Sequence, residues 1–296
     1  MKTLLLIDNH ALLYRFFHAL PPLTTPAGQP IAAVYGLANI LLKILREQKP
    51  DYLAAVFDTP EPTFRDKIYQ DYKIHRPVMP DELQSQVIEA HQLFKQFGVK
   101  TIEQAGYEAD DLIGSLAAKF KSERDLAIVI LSGDLDMLQL VDGQQVTVQF
   151  LKKGVSQTII YDQSAVEQRY GLKSQQLPDL KGLLGDPSDN IPGVNGIGPK
   201  TATPLLQKFG SLENLFENLW ELPDKISGKL ENQKKAALFS KKLATIVTDI
   251  ALPYQLADFR QGELASRQLI AYFSKLGFKS LVERLHRRSI VAGDQR

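Results

Sequence analysis

Carboxylates gather at five places along this sequence, and each place could supply ligands to a metal ion. The nine residues are Asp8, Asp58, Glu108, Asp110, Asp111, Asp134, Asp136, Asp186 and Asp189. One acid after a strand or in the first turn of a helix is ordinary, because such residues cap helices and close turns. That explanation is poor for the whole set, since so many like charges in one place repel one another unless cations balance them.

The ligand types narrow the choice of metal. The chain has no cysteine, which excludes disulfides, thiolate zinc sites and cysteine nucleophiles. Its histidines are not clustered. Oxygen ligands without sulfur or clustered imidazole are typical of Mg²⁺ or Mn²⁺ sites. The sequence therefore predicts a magnesium or manganese centre.

Apolar periodicity predicts the elements that must position these acids. Strands are predicted at residues 3–7, 52–57, 99–102, 127–131 and 145–150, and helices at residues 34–47, 81–97 and 109–120. This alternation predicts an α/β fold with a mostly parallel central sheet flanked by helices. In such a sheet ligands bind beyond the carboxyl ends of the strands, where Asp8, Asp58, Asp134 and Asp136 would meet.

The second half of the chain has a different pattern. It is mostly helical from about residue 175, so we predict an α/β core at residues 1–174 and a helical region at residues 175–296. Residues 193–201 form a glycine-rich turn that leads into a helix, whose free backbone N–H groups could bind an anion. Pro199 and the lack of a preceding strand exclude a nucleotide-binding P-loop. A hairpin between two helices, near residues 190–210, that holds a nucleic-acid phosphate fits better.

A stretch of mixed charge follows the second predicted strand. Arg65, Tyr72, Lys73 and Arg76 place cations and an aromatic ring just after Asp58. Such a segment is either a solvated surface helix or a basic element above the metal site that grips a phosphate and offers a ring for base stacking.

The overall composition says less about fold and function than the motifs do. The 296 residues suit one large domain or two smaller ones, and the formal net charge of +1 requires any surface for a nucleic acid to be local. The apolar run at residues 4–7 is too short for a signal peptide or a membrane span. We expect a soluble, monomeric, cytoplasmic protein with no membrane partner.

Taken together, these motifs resemble the 5′-nuclease (flap endonuclease) superfamily, and most of all the 5′–3′ exonuclease domain of bacterial DNA polymerase I. The likeness covers nearly the whole chain, through residues 4–8, 14–15, 56–58, 64–65, 72–76, 106–111, 132–136, 185–193, 196–202 and 209–213. Two positions depart from the pattern. Asn9 replaces the usual glycine after the first acid, and Pro204 falls inside the second hairpin helix, where it removes a backbone donor.

The resemblance implies a two-metal phosphodiesterase with the nine acids around two or more Mg²⁺ ions, for which Mn²⁺ could substitute, and K⁺ at the helix–hairpin–helix. Asp110, Lys73 and Arg76 would act in catalysis, the two cations from the base of a helical arch near residues 60–90. The implied DNA contacts are Tyr14, Arg15, Arg65, Tyr72, Lys73, Arg76, Gly193, Gly196, Gly198, Lys200 and Thr201.

The implied substrate is DNA with a 5′ flap or a free 5′ end, with a DNA polymerase as a partner in cis or in trans, in primer removal and repair. Two alternatives remain from the residues alone. One is a PIN-type RNase, which shares an acidic sheet edge, and the other is a structure-specific DNA-binding module with little catalysis.

Overall fold

A computed structural model describes residues 1–153, 157–262 and 266–293. Its central sheet contains β1 (Lys2–Asp8), β2 (Tyr52–Val56), β3 (Lys100–Ile102), β4 (Leu126–Ser132), β5 (Val146–Lys153) and β6 (Gln157–Tyr161). The strand order is β3-β2-β1-β4-β5-β6. The first five strands are parallel and β6 is antiparallel to β5. The prediction of a mostly parallel sheet flanked by helices is confirmed.

The helices are α1 (Asn9–Ala19), α2 (Ala32–Glu47), α3 (Phe64–Ile68), α4 (Asp81–Gln96), α5 (Ala109–Phe120), α6 (Gln163–Tyr170), α7 (Leu177–Leu184), α8 (Pro199–Phe209), α9 (Leu212–Glu217), α10 (Asp224–Asn232), α11 (Lys234–Ala244), α12 (Ser266–Leu276) and α13 (Lys279–Gly293). Short 3-10 helices span Asp136–Leu140, Ser174–Gln176, Leu219–Glu221 and Leu256–Phe259. No helix among the described residues has both the length and the apolarity needed to cross a lipid bilayer.

Both faces of the sheet are buried, because apolar side chains stand on each side of the strands. In β1, Leu4 and Leu6 join a core with α5 and α7 to α11, while Leu5 and Ile7 join a core with α1, α2 and α4. A strand that alternates between two buried faces must be apolar throughout. This arrangement leaves the ends of the strands as the place where polar side chains can lie.

The last two helices return to the first half of the chain. Phe273 of α12 packs against Phe97, with ring centroids 6.2 Å apart, and Phe278 packs edge-on against Tyr35 of α2 at 5.2 Å. Both belong to the core that contains α1, α2 and α4. The helices α7 to α11, in contrast, extend the core on the α5 side. The helical region predicted for residues 175–296 is therefore divided between the two faces of the sheet.

Three further local features differ from the sequence predictions. The strand β6 was not predicted, because it begins with two polar residues and its apolar run, residues 159–161, is only three residues long. The expected arch near residues 60–90 contains only the short helix α3, a run of turns and the start of α4. Pro204 does not interrupt α8, because it lies on the exposed side of that helix, where the missing N–H costs least.

Candidate active site

The carboxyl ends of three neighbouring strands meet at a cleft of about 270 Å³. Asp8 is the last residue of β1, Asp58 follows β2, and Asp134 follows β4. Asp110, in the first turn of α5, faces the same cleft. We call these four residues the first acid group. The structure thus brings together carboxylates that lie up to 126 positions apart in the sequence.

Backbone contacts fix the orientation of the first acid group. Asp8 caps α1 by accepting from the N–H of Ala11 at 3.2 Å, and it also accepts from the hydroxyl of Ser132 at 2.6 Å. Asp58 accepts from the N–H of Ala109 at 2.7 Å, which ties the end of β2 to the start of α5. These bonds hold the acids in place before any ligand binds.

The electrostatics of this group favour a bound cation. Burial raises the pKa of Asp8 to about 7, with Asp58 and Asp134 adding to the rise and the Ser132 hydrogen bond opposing it. Burial also raises the pKa of Asp110, again reinforced by the neighbouring acids, Asp8 foremost. No lysine or arginine among the described residues pairs with the first acid group. A divalent cation would supply the missing positive charge, so the donor set fits the predicted metal.

A second acid group consists of Asp136, Asp186 and Asp189, and each can place one carboxylate oxygen within 4.8 Å of the others. Burial raises the pKa of Asp136 to about 6, with Asp134 reinforcing the rise. Burial would also raise the pKa of Asp186, but its ion pair with Lys181 and its hydrogen bonds with Ser188 bring it below the usual value. The second group is thus partly neutralised within the protein.

Two glycines make the loop that carries Asp186 and Asp189 possible. Asp186 and Ile191 form a two-way backbone bridge, with both N–O distances at 2.8 Å. Gly185 and Gly193, at the two ends of the loop, have φ of +73° and +67°. A Cβ on Gly193 would lie 2.2 Å from the nitrogen of Gly185, so no larger residue fits there without a shift of backbone.

The connector between α3 and α4 joins the two sides of the cleft. The hydroxyl of Tyr72 lies 3.2 Å from oxygens of both Glu108 and Asp189, the ammonium of Lys73 pairs with Glu108, and Arg76 pairs with Asp189 at 2.6 Å. Lys73 and Arg76 both line the cleft. Tyr72 is only 6 % exposed, so its ring is not available for base stacking as the sequence had suggested.

Arg65 and Asp111 form a buried ion pair, and Glu108 lies 3.3 Å from the same guanidinium. The guanidinium donates to both oxygens of Asp111 at 2.7 and 2.9 Å, and to the carbonyls of Leu243 and Thr245 at 2.8 and 2.9 Å. Asp111 is fully buried and also accepts from the N–H of Val247. The structure therefore does not bring Asp111 to the cleft with the other predicted ligands, and the donors of Arg65 are occupied inside the protein.

Tyr14 and Arg15, two further predicted DNA contacts, differ in what their side chains contact. Tyr14 lines the cleft and stacks with His18 at a centroid distance of 6.4 Å. Arg15 lies over the ring of Phe150 at 5.2 Å and donates to the carbonyl of Lys152, so it packs against β5. Tyr14 is thus the better placed of the two for a ligand in the cleft.

Sequence reasoning missed two residues of this site. His10 lines the cleft and accepts from the N–H of Asp58 at 3.0 Å through its Nδ1. Lys181, in α7, pairs with Asp136 and Asp186. Neither carried a sequence signal, since a lone histidine and a helical lysine are usually structural or solvated. The position of Asn9 is also explained, because its amide donates to the carbonyl of Val56 at 3.1 Å and so joins β1 to β2.

The glycine-rich turn lies between α7 and α8. Gly193 donates to the buried hydroxyl of Ser240 at 3.0 Å, and Lys229 donates to the carbonyl of Gly196 at 3.3 Å. Gly198 precedes the first turn of α8, with open space where a Cβ would stand. Lys200 and Thr201 occupy that first turn, so the N–H end of α8 carries a cation.

Comparison with known proteins decides the family. The profile of the 5′–3′ exonuclease N-terminal resolvase-like domain matches residues 3–171, and that of the 5′–3′ exonuclease C-terminal SAM fold matches residues 172–267. The chain belongs to the 5′–3′ exonuclease family. These two matches together cover most of the chain, including both acid groups and the glycine-rich turn.

Individual relatives agree with this assignment. The chain is 43% identical to DNA polymerase I of Caldicellulosiruptor bescii over 97% of its own length but only 34% of that protein. It is 38% identical to a 5′–3′ exonuclease of Aquifex aeolicus, over 96% of the chain and 95% of the relative. The chain thus spans about a third of the polymerases that it matches. The bacteriophage T5 flap endonuclease, solved as a pseudo-enzyme–product complex with DNA and metal ions, has the same fold, with a TM-score of 0.67, 18% identity and 97% coverage of both chains.

Proposed function

We propose that this chain is a metal-dependent 5′-nuclease that hydrolyses DNA phosphodiesters beside a 5′ flap or a free 5′ end. The observation that carries the proposal is a single cleft lined by the first acid group, by Asp136 and Asp189 of the second acid group, and by the cations Lys73 and Arg76. Acids alone would repel a phosphate, and cations alone would bind it without chemistry. The combination suits a phosphate that is held between metal ions and basic side chains.

The first acid group would hold one divalent cation and the second acid group another, and Glu108 would add a further carboxylate at the cleft. Mg²⁺ is the ion that these carboxylate oxygens suit, with Mn²⁺ as a substitute. When bound, such a pair lowers the pKa of a water and stabilises the charge on the leaving oxygen. Asp111 is not among the proposed ligands, because its oxygens are occupied by Arg65.

Lys73 and Arg76 would orient the scissile phosphate. Each is now paired with an acid at the cleft, Glu108 and Asp189 respectively. With cations bound at those acids, the two side chains would be able to donate to a phosphate instead. Tyr14 would stack on a base near the cut, since its ring is partly exposed and lines the cleft.

The turn at residues 193–201 would bind the uncut duplex as a helix–hairpin–helix. Gly198, Lys200 and Thr201 present the N-terminus of α8 and a positive charge, which suit a backbone phosphate. A K⁺ ion at this turn is less well supported, because the carbonyl of Gly196 already accepts from Lys229.

The relatives are mostly longer DNA polymerases, which suggests a polymerase as the partner of this chain. A chain that matches about a third of several DNA polymerases would act on DNA that such a polymerase has displaced, in primer removal and repair. The polymerase could be joined to the chain or separate from it. The T5 relative, solved with DNA and metal ions, supports the same two ligands here.

The test is a cleavage assay on a 5′-flap DNA and a single-stranded RNA of matched sequence, each with Mg²⁺ and with EDTA. We expect cleavage of the flap DNA with Mg²⁺ only. Preferential cleavage of the RNA would favour the PIN-type RNase. Tight flap binding without cleavage, in a folded protein with Mg²⁺, would favour a DNA-binding module.

A further inference from the structure

The two acid groups are balanced differently within the protein. In the second acid group, Lys181 contacts Asp136 and lies 2.6 Å from Asp186, while Arg76 lies 2.6 Å from Asp189. In the first acid group, none of the four carboxylates has a lysine or arginine partner among the described residues. The two proposed cation positions therefore differ in how far basic side chains balance their carboxylates before an ion binds.

Lys181 occupies the place where its two acids converge. Its side chain rises from α7, which precedes the loop that carries Asp186, and its own carbonyl accepts from the N–H of Gly185 at 2.8 Å. The base of the lysine is therefore anchored at the start of that loop. Its ammonium lies against carboxylates whose oxygens can come within 4.8 Å of one another. Mg²⁺ binds each oxygen ligand at about 2.1 Å from the ion, so two oxygens bound to the same ion lie no more than about 4.2 Å apart.

The geometry points to Lys181 as an internal competitor for the second cation. The ammonium holds Asp136 and Asp186 together while no divalent ion is bound, and it must give up these partners when an ion enters. The first acid group, which lacks such a competitor, then fills at a lower ion concentration. This inference rests on the proposed two-cation site, and it assigns to Lys181, which contacts two of the three acids, the larger part of the difference in affinity between the two positions.

An alternative role would have the opposite consequence. If Lys181 only held the carboxylates in a geometry that the ion needs, its removal would loosen the second acid group and weaken ion binding. If Lys181 competes, its removal strengthens binding. One unit charge about 4 Å away, at the effective dielectric of a protein surface, is enough for a change of tenfold or more. The sign of the effect therefore separates the two roles.

The experiment measures Mn²⁺ binding to the protein without DNA, by calorimetry and by the magnetic resonance signal of free Mn²⁺. The variants are Lys181→Met, which removes the charge, and Lys181→Arg, which keeps it. Lys208→Met serves as the matched control, because Lys208 forms a surface pair with Glu221 at 2.7 Å away from the cleft. We expect two classes of site in the unaltered protein, one tight and one weak.

In Lys181→Met the weak dissociation constant should fall by about tenfold or more, and the tight one should change by less than about threefold. Lys181→Arg and Lys208→Met should match the unaltered protein. An unchanged or raised weak dissociation constant in Lys181→Met would overturn the inference alone. Failure of the unaltered protein to bind Mn²⁺ at all would instead overturn the proposed function.

A second measurement needs no variant and covers the case in which Lys181→Met does not fold. Acetylation of the unaltered protein is followed by mass spectrometry, with Lys208 as an internal reference. Release of the ammonium by the second ion should raise the acetylation rate of Lys181 relative to Lys208 as Mn²⁺ fills the weak site. A ratio that stays constant, or falls, through the weak transition would show that the lysine keeps its partners, and the inference would be wrong.

Discussion

Asp110 and Asp111 are adjacent acids whose substitution should have opposite effects. Asp110 faces the cleft among other carboxylates, and burial together with those neighbours raises its pKa. Asp111 is fully buried and receives two hydrogen bonds from Arg65. We therefore expect Asp110→Asn to abolish catalysis while leaving the fold intact, and Asp111→Asn to weaken the fold first.

The loss of stability expected for Asp111→Asn depends on the partners that Arg65 keeps. Removing one member of a buried ion pair costs about 3–5 kcal/mol, because the other charge is left uncompensated. Glu108 stays 3.3 Å from the same guanidinium of Arg65, so the low end, about 3 kcal/mol, applies to Asp111→Asn. In a protein of this size that lowers the melting temperature by roughly 6–12 °C. Asp110→Asn removes a charge from a site of mutual repulsion, so the metal-free protein should keep or gain stability.

The assay combines thermal unfolding in EDTA at neutral pH with single-turnover cleavage of a 5′-flap DNA in Mg²⁺, well below the melting temperature. Asp110→Asn should lose at least about a hundredfold in rate, as expected for one preorganised charge at a reacting centre. Asp111→Asn should lose less. If Asp110→Asn melts several degrees lower while Asp111→Asn melts normally and loses all cleavage, the two acids have the reverse roles and the reasoning is refuted.

Three further outcomes are expected. Lys73→Ala should raise the activation free energy of the single-turnover reaction by about 2.7–4 kcal/mol, while changing DNA affinity in Ca²⁺ much less. An unaltered rate would rule out contact with the scissile phosphate. Gly193→Ala should lower the melting temperature and weaken the second Mn²⁺ site, because the loop that carries two of its acids must open; unaltered Mn²⁺ affinity would contradict this. The pKa values of about 7 for Asp8 and about 6 for Asp136 mean that the folded metal-free protein keeps protons that the unfolded chain has lost. Its stability in EDTA should therefore fall as the pH rises from about 4 to about 7, and Mg²⁺ should reverse the fall. A melting temperature that rises with pH in EDTA would show that the pKa values of these two acids are not raised.

The part of the site that the sequence predicted is the part that parallel strands determine. Asp8, Asp58 and Asp134 each follow an apolar run, and parallel strands carry such residues to one edge whatever the loops do. The apolar runs themselves could be recognised because burial on both faces leaves no polar alternation. The fold class and the first acid group therefore needed no knowledge of tertiary contacts.

The part that the sequence did not predict depends on which partner each side chain finds. Asp110 and Asp111 differ by one position, and on a helix that step turns a side chain by about 100°, from the cleft to the interior. Whether the inward acid is tolerated depends on Arg65, which is 46 positions away. Tyr72 looked exposed because its neighbours are charged, yet its hydroxyl closes a contact between Glu108 and Asp189.

The ion pairs at the cleft also determine when its basic side chains are able to bind a phosphate. Lys73 and Arg76 are each paired with an acid at the cleft, Glu108 and Asp189, so neither is a free cation in the absence of ligands. A phosphate that arrives before the metal ions must compete with those carboxylates for the same donors. If the chain is the proposed nuclease, a phosphate that arrives with the ions would find the carboxylates neutralised and the donors released. Phosphate binding at the cleft would then depend on the metal ions, and DNA without divalent cations should be held by the turn at residues 193–201 rather than at the cleft.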